Sequence, residues 1–185
     1  CLSVLIQDWN ETFFNVSKTK AVREYSRIVN SVAGTKVNVE HMEALHDLGY
    51  LPLEIRAVEE GVTVPYGVPS LTIDSTVAGF GWCSNMIETV MSSEISGICT
   101  SATTALAYRT RFEKEESLKG GMIPFMGHDF SYRGMLGGTQ HAAMSGFGHA
   151  TSFLGSDTLP VVGFAEKWYG ARCDVSPVVC SVSAT

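Results

Sequence analysis

Three short segments in the second half of this chain carry side chains able to bind and polarise a small polar ligand. His128 and Asp129 stand together and run into Phe130, Tyr132 and Arg133; Asp157 follows, and then Ser181 and Ser183. An imidazole, two carboxylates, a guanidinium, an aromatic ring and hydroxyls at one mouth offer stacking, charge and hydrogen bonds to a small molecule. These residue types alone do not name a substrate.

For such side chains to meet, the segments holding them must be neighbouring strands. MIPFMGHDF reads as a buried strand closed by His128 and Asp129, and GGTQHAAMSGFGHATSF as a helix rich in small residues. FLGSDT reads as a short strand closed by Asp157, LPVVGFAEKWYG as a second helix, and SPVVCSVSAT as a third strand bearing Ser181 and Ser183. Strands alternating with helices imply βαβ crossovers and a parallel sheet. In such sheets ligands bind at the C-terminal strand ends, where these residues fall.

Upstream the rhythm differs. In residues 18–33, Val22, Tyr25, Ile28, Val29 and Val32 are spaced at three and four, an amphipathic helix closed by Gly34. Residues 38–48 repeat the pattern and stop at Gly49; their His41 and His46 fall on different helix faces and read as solvated or capping residues. LPLEIRAV (51–58) alternates apolar and polar positions and continues into GVTVPYGVPSLTIDS, a small antiparallel unit. Phe80 to Phe112 reads as two helices broken near Gly97, and KEESLKGG (114–121) as a linker. Two domains follow: an α+β unit over 1–120 and a βα unit over 121–185.

Bulk properties narrow the function classes. The chain of 185 residues is 45% hydrophobic and 17% charged, a composition that buries a core. Net charge is −6 with no basic tract, which argues against a nucleic-acid partner, whereas a small phosphorylated ligand needs only a few local cations. No apolar run reaches the roughly 20 residues of a membrane helix, and CLSVLIQDWNETFF lacks the basic start of a signal peptide. Five cysteines without CxxC spacing read as free thiols of a reducing cytoplasm, and without a secretory signal the sequons at Asn10 and Asn15 read as fortuitous. GFGHA (146–150) lies inside a helix and lacks the full dinucleotide-binding pattern; His141 and His149, eight apart, make no zinc site.

The motifs HDFSYRG (128–134), GSDT (155–158) and SVSA (181–184), each separated by one helix, resemble those of the nicotinamide phosphoribosyltransferase family, whose usual forms are HDFGYRG, GTDT and SVPAAEHS. The likeness extends upstream through LPLEIRAVEEGVTVPYG and WCSNMIETVMSSE, covering residues from about 38 to 185. It implies an α/β fold in which an N-terminal α+β unit precedes the first βα units of an incomplete TIM-like (type II phosphoribosyltransferase) barrel. It also implies transfer of ribose 5-phosphate from phosphoribosyl pyrophosphate to nicotinamide in NAD salvage, by a cytoplasmic homodimer with shared active sites. Mg²⁺ would accompany the pyrophosphate, and ATP is a possible activator. The chain starts without Met and stops where the family motif continues, so it reads as an internal fragment, inactive alone.

The resemblance assigns roles residue by residue. Phe130 matches the aromatic that stacks on the nicotinamide ring, and Asp157 the carboxylate that accepts from the carboxamide NH2. A carboxylate there favours an amide donor and repels nicotinate or quinolinate, the substrates of the runner-up enzymes. Capping of the following helix is the bland alternative for Asp157. Arg133 matches the pyrophosphate-side cation, and with His128 makes the catalytic pair; Asp129, Ser181, Val182 and Ala184 line the ring site. The last alternative is a non-catalytic binding relative, which would not need this cluster. Departures from the family pattern are Phe125 for Tyr, Ser131 for Gly, Ser156 for Thr and Ser183 for Pro.

Overall fold

The computed structural model describes residues 2–118, 121–176 and 179. It divides into two compact units, Cys1–Met91 and Ser92–Thr185. The division falls within a helix, whereas the sequence pattern places it at 120/121.

In the first unit, α1 (Leu2–Trp9) runs into a wide helical turn, Asn10–Phe14, and is followed by α2 (Lys18–Ala33) and α3 (Glu40–Leu48). The glycine stops act as expected: Gly34 and Gly49 adopt left-handed φ of 66° and 80°, and their N–H groups donate to Asn30 and Leu45. Only the first part of the α2 stripe is buried. Val22 joins Phe13, Met42, Leu45 and Cys83 in the core, whereas Val32 is 84% exposed. The two α3 histidines are neither solvated nor capping. His46 Nε2 donates to the Val16 carbonyl at 2.8 Å, and the His41 ring packs edge-on against Trp82 at 4.9 Å, with Tyr25 Oη 3.4 Å from Nε2. Strands β1 (Leu53–Ala57) and β2 (Leu71–Ser75) form the antiparallel pair, with Ile55 opposite Ile73.

Helix α4 spans Trp82–Lys114 without interruption, so the expected break at Gly97 does not occur. A lone glycine costs a helix only about 1 kcal/mol, and here its missing side chain leaves room: a Cβ on Gly97 would lie 3.2 Å from Met135 Cε.

The second unit continues from α4 through a short turn, Glu116–Leu118, to α5 (Ile123–Met126), β3 (His128–Asp129), α6 (Ser131–Gly134), α7 (Gly138–Ala150), β4 (Gly155–Ser156) and α8 (Pro160–Tyr169). Pro124 starts a helical turn, which shortens the expected strand MIPFMGHDF to its last polar pair. β3 and β4 pair in parallel, His128 beside Gly155 and Asp129 beside Ser156, the βαβ connection inferred from the alternating pattern. The fold is therefore mixed α/β. A two-stranded pair is not a barrel, and the third strand expected over 176–185 lies outside the described residues apart from Ser176 and Val179, which are not in a strand.

Small residues let α7 approach its neighbours. A Cβ on Gly148 would stand 2.5 Å from the Ile98 carbonyl oxygen, and one on Gly146 would stand 2.4 Å from Val161 Cγ2. The outer end of this packing is closed by Phe147, stacked on Tyr169 at 4.5 Å and tilted against Phe164 at 5.5 Å. No helix among the described residues is long and apolar enough to cross a membrane.

Candidate active site

The two parallel strand ends are tied together by one carboxylate. Asp129 is buried, and its Oδ1 accepts from Ser131 N at 3.1 Å and Ser131 Oγ at 2.5 Å. Its Oδ2 accepts from Ser156 Oγ at 3.1 Å. Ser145 Oγ lies 2.9 Å from Ser131 Oγ; Ser131 has one hydroxyl proton and gives it to Asp129, so Ser145 is the donor of that contact. Ser156 Oγ in turn accepts from Thr158 N at 3.0 Å, and Thr158 Oγ1 accepts from Tyr132 N at 3.3 Å. A backbone bond from Asp157 N to the Asp129 carbonyl completes the stitch. A buried carboxylate is tolerable only when donors replace its lost water, and three do so here. Its geometry suits holding the β3–α6 and β4–α8 turns in register; the carboxylate faces these internal donors.

The stitched turns present the side chains on either side of Asp129. His128 Nε2 lies 3.2 Å from Asp157 Oδ2, with both side chains about one-sixth exposed. The approach is close but oblique, since Nε2 is buried without a linear hydrogen-bond acceptor. The His128 ring also lies 5.0 Å from that of Phe130, tilted by 43°. Phe130 is 49% exposed, so about half of its surface is free of contacts within the described residues. The residue that precedes α8 is Leu159, whose side chain makes no cap bond.

Arg133 sits in the last turn of α6, exposed, and forms no ion pair among the described residues. Of the expected cluster, the structure thus brings His128, Phe130 and Asp157 together, keeps Asp129 beneath them and leaves Arg133 one turn further on. Ser181, Val182 and Ala184 lie outside the described residues. Among those residues no group of three His, Cys, Asp or Glu side chains is placed to hold a metal ion.

One feature was not anticipated from sequence. His128 lines a cavity of about 610 Å³ that runs along α4 past Ser96, Thr100, Thr104 and Tyr108 to His149 and Phe153. Ser96, Thr100, Thr104 and Tyr108 recur every fourth residue, a hydroxyl stripe on one helix face that the sequence does display. Phe130 and Asp157 do not line this cavity.

No protein-family model matches the chain. It is 46% identical over 172 residues to a nicotinamide phosphoribosyltransferase of Acinetobacter baylyi, covering 90% of this chain and 34% of that protein. Proteins of the same name from Xanthomonas campestris and Mycoplasma genitalium are 33% and 31% identical over 65% and 59% of the chain, covering 26% and 25% of their own lengths. The chain therefore spans about a third or less of the length of these relatives.

Proposed function

Because this chain belongs to the nicotinamide phosphoribosyltransferase family, we propose that its protein transfers ribose 5-phosphate from phosphoribosyl pyrophosphate to nicotinamide, yielding nicotinamide mononucleotide and pyrophosphate for NAD salvage. The observation that carries this reading is the convergence of Phe130 and Asp157 on one imidazole, at the ends of adjacent parallel strands.

The pyridine nitrogen is a free nucleophile at neutral pH, so no base is required. It attacks the anomeric carbon as the carbon–oxygen bond to pyrophosphate breaks, and positive charge develops on the ribose ring. Phe130 holds the pyridine ring by stacking on one face. Asp157 accepts from the carboxamide NH2 and repels the carboxylate of nicotinate. Arg133, exposed and without an ion-pair partner among the described residues, offers its planar fork of donors to the departing pyrophosphate. Asp129 keeps the two turns in register. The resemblance assigns the wall of the ring site to Ser181, Val182 and Ala184, which lie outside the described residues. Mg²⁺ would enter with the pyrophosphate substrate, whose charge it neutralises. The homodimer would supply a cover for the exposed surface of Phe130, and an activating role for ATP rests on the resemblance alone.

The test is turnover by the full-length protein. With nicotinamide, phosphoribosyl pyrophosphate and Mg²⁺, mass spectrometry should detect nicotinamide mononucleotide, and nicotinate should be a much poorer acceptor. Equal or better use of nicotinate would overturn the substrate assignment, and absence of either product would overturn the activity.

A further inference from the structure

We infer that His128 is the positioning residue for amide selection: its Nε2–H holds the Asp157 carboxylate while its ring backs Phe130, so the imidazole sets both contacts to the pyridine ligand. This rests on the nicotinamide reading above and gives His128, which the resemblance paired with Arg133 as catalytic, a positioning role instead.

Four observations support it. His128 Nε2 and Asp157 Oδ2 are 3.2 Å apart in a largely buried setting, where a charge-assisted contact is worth more than at the surface. Nε2 is buried without a linear acceptor, a stability cost that a function would explain. In this assignment the contact becomes a hydrogen bond when a ligand amide draws on the same carboxylate. The ring of His128 lies beside that of Phe130, so the stacking surface and the carboxylate share one support.

The fourth observation is a built niche. Gly155 is the register partner of His128 across the parallel pair. A Cβ on Gly155 would lie 2.6 Å from His128 Nδ1 and 2.9 Å from the Gly127 carbonyl oxygen. The strand is thus cut away where the imidazole stands, and the ring fills the space that a side chain on β4 would take. Imidazole also suits the task chemically. It is a short, planar donor whose one nitrogen can point at a carboxylate while the ring face meets an aromatic neighbour. In this assignment Nε2 carries the proton.

The experiment compares kcat/KM for nicotinamide and nicotinate in the full-length protein and three variants. His128→Ala removes the donor and the ring support. Gly155→Ala keeps the imidazole but displaces it. His128→Gln keeps a donor near the Nε2 position without an aromatic ring. Losing one hydrogen bond to a charged group should cut the nicotinamide preference of His128→Ala and Gly155→Ala by about tenfold or more, mainly through KM for nicotinamide. KM for phosphoribosyl pyrophosphate should stay within about twofold, since uniform damage would move both substrates alike. His128→Gln should restore most of the preference. If His128→Ala does not fold, Gly155→Ala and His128→Gln carry the same decision.

An unchanged preference in Gly155→Ala would overturn the inference, as would a glutamine variant no better than alanine. Either result leaves the nicotinamide reading standing while the parent protein turns over nicotinamide. A parent that makes no nicotinamide mononucleotide removes both together.

Discussion

Gly146 and Gly163 offer the same substitution on two helices with opposite expected signs. Both lie inside helices, α7 and α8, where Gly→Ala gains up to about 1 kcal/mol from backbone entropy. A Cβ on Gly163 meets nothing within 4 Å, so Gly163→Ala should stabilise by about 0.5–1 kcal/mol. A Cβ on Gly146 would stand 2.4 Å from Val161 Cγ2 and 2.7 Å from Asp129 Oδ2. Overpacking of this kind costs about 1–3 kcal/mol. Moving Oδ2 also breaks its bond from Ser156, worth about 1.5–3 kcal/mol for a charged acceptor. After subtracting the helix gain, Gly146→Ala should destabilise by about 1.5–5 kcal/mol. Urea denaturation of the full-length protein, following the cooperative phase that includes this unit, measures the difference. A Gly146→Ala protein as stable as the parent would show that α7 and Asp129 are not packed as described. A loss in Gly163→Ala as large as that in Gly146→Ala would show that the effect is a general intolerance of Gly→Ala.

Three further outcomes follow from the site and the core. Ser156→Ala leaves Asp129 Oδ2 and Thr158 N each without its partner and should destabilise by about 2–4 kcal/mol, whereas Ser156→Thr keeps the hydroxyl and should retain most of that stability; equal denaturation midpoints for the two would refute the bracing role. Asp157→Asn should lower the preference for nicotinamide over nicotinate by about tenfold or more, measured as a ratio of kcat/KM, by removing the repulsion of the acid. Burial pushes the Cys83 thiol up to about 11, while Cys99 is exposed. At pH 8 iodoacetamide should therefore label Cys99 and spare Cys83 until the protein unfolds, and mass spectrometry of the peptides reads this directly.

Local rules were visible in the sequence wherever one element decides its own ends. The periodic apolar spacing of α2 and α3 with glycine after each predicts both helices, and β1 and β2 follow from alternation and turn residues. The parallel pair β3–β4 was legible from the order of helices and strands, as was the meeting of His128, Phe130 and Asp157 at its end. What was not legible depends on packing between elements. Gly97 reads as a breaker because glycine is flexible in isolation; in α4 it serves closeness to Met135. Pro124 shortened a strand that hydrophobicity alone would extend. The exposed end of α2 shows that apolar spacing marks a face without saying what covers it. Ser131 and Ser156 looked like mild departures from the family motifs, yet both hydroxyls bond to Asp129. That pairing appears only when the two turns are brought side by side.

The carboxylate beneath the site has a consequence for motion. Asp129 grips Ser131 on one turn and Ser156 on the other, and Phe130 and Asp157 are the immediate neighbours of those grips. A fluctuation that tilts one turn drags its companion through this rivet, so stacking surface and polar tooth drift as a single jaw. A ring-shaped guest would thus meet a recognition element of constant internal dimensions.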